Sequence, residues 1–249
     1  MLNKVKTASE ITAIKESGKM LSTILTSLSS KVEASMTTKD LAVIADRELK
    51  QLGGTAPFLG YQGFPDVICI SLNDEVVHGI PKADKIIHQE DVLSLDFGVA
   101  YRGMITDAAI SLVVGKTTNQ KKLDLIKYTK MSLDNGIAVV RDGIRTGDIG
   151  AAVEKTLIKY NLGIVRDLVG HGVGHNLHED PNIPNYGRVG RGYLLKAGMT
   201  IAIEPMATLG SERVYIAPDH WTVLSYDHSL SAHFEHSILI LEDGFEVLT

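Results

Sequence analysis

DVLSLDFGVAYRGMITDAAISLVVG, residues 91–115, holds two apolar runs on either side of Ala100-Tyr101-Arg102-Gly103. Runs rich in Val, Ile and Leu around a short Gly-containing connection read as a β-hairpin. A four-residue loop pairs Val99 with Met104 and sets Asp96 directly opposite Asp107. Side chains so placed have Cβ atoms about 4.5–5.5 Å apart. Aspartate is disfavoured in strands, and facing carboxylates repel. Either one acid escapes to solvent or a lysine, or a cation sits between the two and turns repulsion into binding.

Reading outward from the hairpin exposes a repeat. Residues 8–30 carry Ile11, Ile14, Leu21, Ile24, Leu25 and Leu28 in a helical rhythm. A second helical stretch runs from Leu41 to Leu52 and closes on Gly53-Gly54. Thr38 is its expected N-cap, with Asp40 in the first turn facing the positive helix end. Residues 121–141 read as a third helix. Thr146-Gly147-Asp148 then opens a fourth that runs to about Leu162 and closes on Gly163. A single offset of 108 residues carries Thr38 to Thr146, Asp40 to Asp148, Leu41 to Ile149 and Leu49 to Leu157. It also carries LSLD, ending at Asp96, onto IAIE, ending at Glu204. Shared capping and strand-end acids at one offset imply two homologous halves, roughly 8–115 and 116–249, within a single domain of residues 1–249. Asp96 and Glu204 then occupy related points around a shared centre.

The C-terminal stretch LSAHFEHSI, residues 230–238, reads as a strand whose alternation puts Ser231, His233, Glu235 and Ser237 on one face. Asp96, Asp107, Glu204 and Glu235 are thus four acids in apolar strands, which points to one central polar site. GHGVGHNLHED, residues 170–180, adds three histidines. A helical His-x-x-x-His pair would put Gly172 and Gly174 inside a helix at about 1 kcal/mol each relative to alanine, so an extended segment is expected. On such a segment His171 and His175 can share a face, and the residues alone do not choose between them.

The composition narrows the class. The chain has 249 residues, 44% of them apolar, which suffices for a sizeable core. A net charge of −5 argues against a general nucleic-acid surface. Cys69 is the one cysteine, so no intrachain disulfide can form, in keeping with a reducing compartment. The N-terminus, MLNKVKTASE, lacks the apolar core of a signal peptide, and no run of about 18 apolar residues exists to span a membrane. A cytoplasmic protein is expected.

The series Asp96, Asp107, His171, Glu204, Glu235 resembles the five-ligand set of the methionine aminopeptidases and their pita-bread relatives. ISLNDEVVHGIP, GHGVGHNLHEDP, IAIEP and LSAHFEHSILI are similar to that family's local texts, and the resemblance covers essentially the whole chain. It implies an α+β pita-bread fold, with two pseudo-symmetric helix-helix-strand halves around a curved antiparallel sheet. It makes His171 the metal ligand and implies two divalent ions, Co, Mn or Fe(II). Asp107 and Glu235 would bridge them, Asp96 would complete one, and His171 and Glu204 the other. Such an oxygen-rich set suits paired divalent ions. The resemblance further implies Glu204 as acceptor of a water's proton, His178 as hydrogen-bond donor to the scissile carbonyl, and His78 near the scissile nitrogen or the following residue. It maps the methionine pocket onto Phe58, Tyr61, Phe64, Cys69, Leu177 and Trp221, beside His78 and His178. Phe58 and Leu177 depart from the best-known bacterial pattern, and His175 stands where many members have arginine, a bystander on this reading.

The implied reaction is removal of initiator methionine from nascent polypeptides whose second residue is small, near the ribosome, by a cytoplasmic monomer that binds no nucleic acid directly and no membrane. An X-Pro peptidase on the same fold is the first alternative, although the residues before Asp96 are already used by the first half. A non-catalytic peptide-binding relative is the second, although such relatives lose ligands and here all five stand. Glu204 follows His171 by only 33 positions, which leaves no room for the helical insertion of type II enzymes and favours type I.

Overall fold

The computed structural model describes residues 4–249. Two helices, α1 (Ala8–Lys31) and α2 (Thr38–Leu52), precede strands β1 (Cys69–Leu72), β2 (Glu75–Val77), β3 (Val92–Tyr101) and β4 (Met104–Val113). Two more helices, α3 (Gln120–Ile137) and α4 (Thr146–Lys159), open the second half. Strands β5 (Gly163–Ile164), β6 (Gly170–Gly172), β7 (Glu179–Ile183), β8 (Thr200–Ile203) and β9 (Met206–Thr208) follow. The chain ends with β10 (Val214–Ile216), β11 (Val223–Ser225), β12 (Ser231–His233), β13 (His236–Leu241) and β14 (Gly244–Val247). Every strand pair is antiparallel, and with the helices this makes the α+β class read from the sequence. Among the described residues no helix is long and apolar enough to cross a membrane.

Each half buries its own core. Leu21, Ile24 and Leu28 of α1 and Leu41 and Leu49 of α2 pack with Leu93, Leu95 and Phe97 of β3. Leu133 and Ile137 of α3 and Ile149 of α4 pack with Ile201 and Ile203 of β8 and Ile238 of β13. The 108-residue offset holds at the level of single hydrogen bonds. Bridges join Thr37 to Ile86 and Arg145 to Leu194. Backbone N–H groups of Ser35 and Gly143 donate to Ile87 and Leu195, and those of Ile87 and Leu195 donate back to Met36 and Ile144.

The halves meet along a seam between β4 and the C-terminal strands. Ala109 and Glu235 exchange backbone hydrogen bonds at its centre. On one side the Ser237 hydroxyl joins both backbone groups of Asp107; on the other the Ser111 hydroxyl joins both of His233. Ser94 faces Ser111, and one offset later Ala202 faces Ser237, so the two bridging serines are equivalent positions of the repeat.

Five local expectations change. The hairpin turns on two residues, not four: Tyr101 pairs with Met104, and Arg102 and Gly103 take φ of 49° and 79°. Two successive positive φ values are the mark of a type I′ turn, whose twist matches that of the strands. Asp107 therefore faces Gly98, and Asp96 faces Ala109. The slip of two positions keeps both acids on the same sheet face, as diagonal neighbours. Asp96 lies inside β3 rather than at its end, while Glu204 follows β8. The N-cap of α2 is Thr37, because the Asp40 carboxylate reaches back to the Thr37 N–H and fixes the first turn one residue earlier. Helix α4 stops at Lys159, since Asn161 adopts a left-handed turn (φ 56°), and Gly163 enters β5 instead. The C-terminal strand is split at Phe234-Glu235, where Glu235 leaves its own sheet to bond Ala109.

Candidate active site

A cavity of about 360 Å³ is lined by all thirteen residues singled out from the sequence, together with Gln62. Asp96 and Asp107 come from β3 and β4, Cys69 from β1, His171 from β6, and Glu204 and Glu235 from the kinks that follow β8 and β12. The loop after α2 brings Phe58, Tyr61 and Phe64, and the turn between β6 and β7 brings Leu177 and His178. His78 follows β2, and Trp221 sits between β10 and β11. Gly170 lets β6 lie against β8: a Cβ there would stand 2.3 Å from the Ala202 carbonyl oxygen.

The polar half of the cavity concentrates buried acid. Ligand atoms of Asp107, His171 and Glu235 lie within 4.8 Å of one another. His171 Nε2 lies 3.5 Å from Glu204 Oε1 and 4.0 Å from Asp107 Oδ2. The backbone carbonyl of Gly172 lies 2.8 Å from His171 Nδ1 and so fixes the proton there. Nε2 is left with its lone pair toward the carboxylates, the arrangement a metal-binding imidazole needs. Asp96 Oδ1, Asp107 Oδ1 and Glu235 Oε1 are buried without a hydrogen-bond partner among the described residues. Burial pushes the Asp96 carboxyl up to about 7. Burial, then the charges of Asp96 and Glu204, push Asp107 well above the carboxylate range, and burial followed by neighbouring carboxylates does the same for Glu204 and Glu235. Burial drives His171 down to about 3. Unsatisfied carboxylate oxygens around a lone-pair imidazole fit a divalent cation, which supplies the charge this cluster lacks.

The other half is apolar. Phe58, Phe64, Cys69 and Leu177 cluster, with Tyr61, Ile80, Ile105 and Trp221 packed against them. Phe64 meets Trp221 edge-on at 5.1 Å, and the His78 ring is 6.4 Å from the same indole. The Tyr61 hydroxyl lies 2.8 Å from His178 Nδ1. With the phenol as donor, the neutral His178 ring carries its proton on Nε2. Burial lowers His178 and takes His78 to about 4, so both rings are neutral at pH 7.

His175 does not line the cavity; its Nε2 lies 2.7 Å from Glu10 Oε1. Sequence reasoning passed over Gln62, which sits in a Gly-flanked turn with no periodic signal. It placed His233 on the polar face without giving it a role. The structure sets that buried imidazole 3.8 Å from both Glu204 and Glu235.

Residues 12–242 match metallopeptidase family M24. The chain is 42% identical over 245 residues to the methionine aminopeptidase of Mycoplasma capricolum, covering 98% of this chain and 97% of that one. It is 39% identical to methionine aminopeptidase 1 of Bacillus subtilis, covering 98% of each. The crystal structure of the Thermotoga maritima methionine aminopeptidase superimposes with a TM-score of 0.97 at 40% identity, over 100% of this chain and 99% of that one. A prolidase from Pyrococcus furiosus shares the fold, with a TM-score of 0.80 at 21% identity over 98% of this chain and 65% of that one. With its buried acid cluster, its lone-pair histidine and near-complete alignment to these relatives, the chain belongs to metallopeptidase family M24, among the methionine aminopeptidases.

Proposed function

We propose that this chain is a type I methionine aminopeptidase, hydrolysing the first peptide bond of polypeptides that begin with methionine followed by a small residue. The observation that carries the reading is the adjacency, in one cavity, of a cation-demanding acid cluster and an apolar recess of aromatic and sulfur groups. Such a recess suits a flexible thioether side chain. Asp96, Asp107, His171, Glu204 and Glu235 would together hold the divalent ions; Mn, Fe(II) and Co(II) all accept these ligands. When bound, the ions polarise the scissile carbonyl and lower the pKa of an attacking water. Glu204 takes up that water's proton, as a carboxylate at the edge of the acid cluster. The His178 Nε2–H donates to the carbonyl oxygen as charge grows there. His78, held against Trp221, faces the scissile nitrogen. The substrates are nascent-chain N-termini.

The test is methionine release from Met-Ala-Ser by metal-stripped protein reconstituted separately with Mn, Fe(II) and Co(II). Release that depends on the ion, and falls at least about a hundredfold in His171→Ala, is the expected outcome. Folded protein that releases nothing with any of the three ions would overturn the reading.

A further inference from the structure

The turn that carries Leu177 and His178 is held from outside the cavity by the first residues of the chain. Glu179 closes this turn: its Oε1 accepts the backbone N–H of His175 at 2.7 Å and of Asn176 at 3.0 Å. The other oxygen, Oε2, receives the Lys6 ammonium at 3.2 Å, and both side chains are buried, with 0% and 1% exposure. Lys6 is itself fixed, its backbone N–H donating to the Gly198 carbonyl and its ammonium to the Lys4 carbonyl. A second tie runs parallel. Glu10 caps α1 by accepting the Thr7 N–H through Oε2, while its Oε1 lies 2.7 Å from His175 Nε2. His175 Nδ1 is in turn 3.7 Å from Glu179 Oε1. Polar contacts thus run from Lys6 through Glu179, His175 and Glu10 to Thr7, and the peptide bond between Lys6 and Thr7 closes the circuit that joins the start of α1 to the turn.

An ion pair taken fully out of water is poor at adding stability, because desolvation offsets the Coulomb attraction. Its value lies in fixing a geometry. Here the fixed geometry is that of the residues between its two ends, and they are cavity residues. Leu177 walls the apolar recess, and His178 stands 4.2 Å, ring to ring, from His171.

We propose that Glu179 is a positioning residue for the reaction, holding Leu177 and His178 in place through the 174–178 turn, with Lys6 of the N-terminal segment as the counter-charge that lets this carboxylate be buried. The proposal rests on the aminopeptidase reading and concerns residues that touch no substrate. The carboxylate orders the turn by accepting two N–H groups through Oε1; the ammonium neutralises its charge through Oε2. The acceptor, not the charge, is therefore the functional element.

Two double variants separate these roles. Lys6→Met with Glu179→Gln removes both buried charges and keeps a carbonyl oxygen for the turn. Lys6→Met with Glu179→Leu also removes both charges and keeps the bulk, but offers no acceptor. Neither leaves an uncompensated buried charge, the usual cause of misfolding at such a site. Trp221 is the single tryptophan and lines the recess, so its fluorescence reports binding of methioninol to metal-free protein. Amide exchange at His175 and Asn176 reports the turn itself. The Gln variant should match the parent within about twofold in binding and in kcat for Met-Ala-Ser. The Leu variant should exchange those amides faster, bind methioninol about tenfold more weakly and lose about ten- to a hundredfold in kcat. Two folded variants with equal binding, equal kcat and equal exchange would overturn the proposal. A parent that binds methioninol and shows protected amides but hydrolyses nothing would instead count against the function reading.

Discussion

A single phenol decides which nitrogen of His178 faces the cavity. Tyr61 lies on a Gly-flanked turn in which Gln62 takes a positive φ of 48°, and its hydroxyl reaches Nδ1 of His178. Removing that hydroxyl frees the ring to change tautomer and rotate. A hydrogen bond of this kind is worth about 0.5–1.5 kcal/mol, so Tyr61→Phe should lower kcat about two- to tenfold with little change in KM, as steady-state assays on Met-Ala-Ser would show. An unchanged kcat would mean that the ring is held by packing alone. The residue types at the centre were legible from the sequence because acids in apolar strands are costly and therefore conspicuous. Which histidine joined them was not. His171 and His175 are both reachable on an extended Gly-rich segment, and the choice rests on partners distant in sequence. The Gly172 carbonyl and the acids of β3, β4 and the kinked strands hold one ring, and Glu10 holds the other.

At the scale of elements, helices were read more closely than strand pairings. Apolar periodicity located α1 to within a residue at its end, because its whole inner stripe is buried against β3 and β4. The errors lie where a side chain reaches back along the chain, as Asp40 does to Thr37, or where the chain turns in the left-handed region. The β3–β4 register was missed by two positions because a two-residue and a four-residue loop both keep the alternation of faces intact. Turn chemistry, with Gly103 at the second central position, is what distinguishes them. Gly103→Ala should cost about 1 kcal/mol, since an L-residue with a side chain resists φ near +80°. A Cβ at this position meets no atom within 4 Å, so urea unfolding should show the loss while the cavity keeps its ligand affinity. No loss of stability would place the turn's strain elsewhere.

Across the whole molecule, the offset that relates the recurring bridges was readable, but the seam was not. Nothing local in sequence says that Ser111 and Ser237 will bridge strands from different halves. The seam brings Asp107 and Glu235 together, and the protein carries the electrostatic cost in its metal-free form. Asp96 ionises near pH 7 and Asp107, Glu204 and Glu235 only well above the carboxylate range, with burial as the leading cause. His171 and His233, at about 3, and His78, at about 4, are neutral in the folded protein at neutrality, and unfolded histidines are neutral there too. Above pH 7 the raised carboxyls leave the folded form holding more protons than the unfolded one, with the buried Cys69 thiol acting in the same direction and the lowered Lys6 in the other. Metal-free protein should therefore melt at progressively lower temperature as pH rises from about 7 to about 9. Added Mn should flatten that slope by replacing the protons. Thermal melts with chelator and with metal check this; a flat chelated profile would mean the acids are already ionised in the fold.

Division of the centre between two halves has a consequence for the order in which the molecule is made. The first half contributes Asp96 and Asp107, and the second contributes His171, Glu204 and Glu235. Neither half alone holds the full ligand-type set, and Glu235 takes its place by bonding Ala109 of the other half. During synthesis the chain can complete its first core before it has a centre at all. The centre comes into being only when the strand bearing Glu235 has been translated and has closed onto β4.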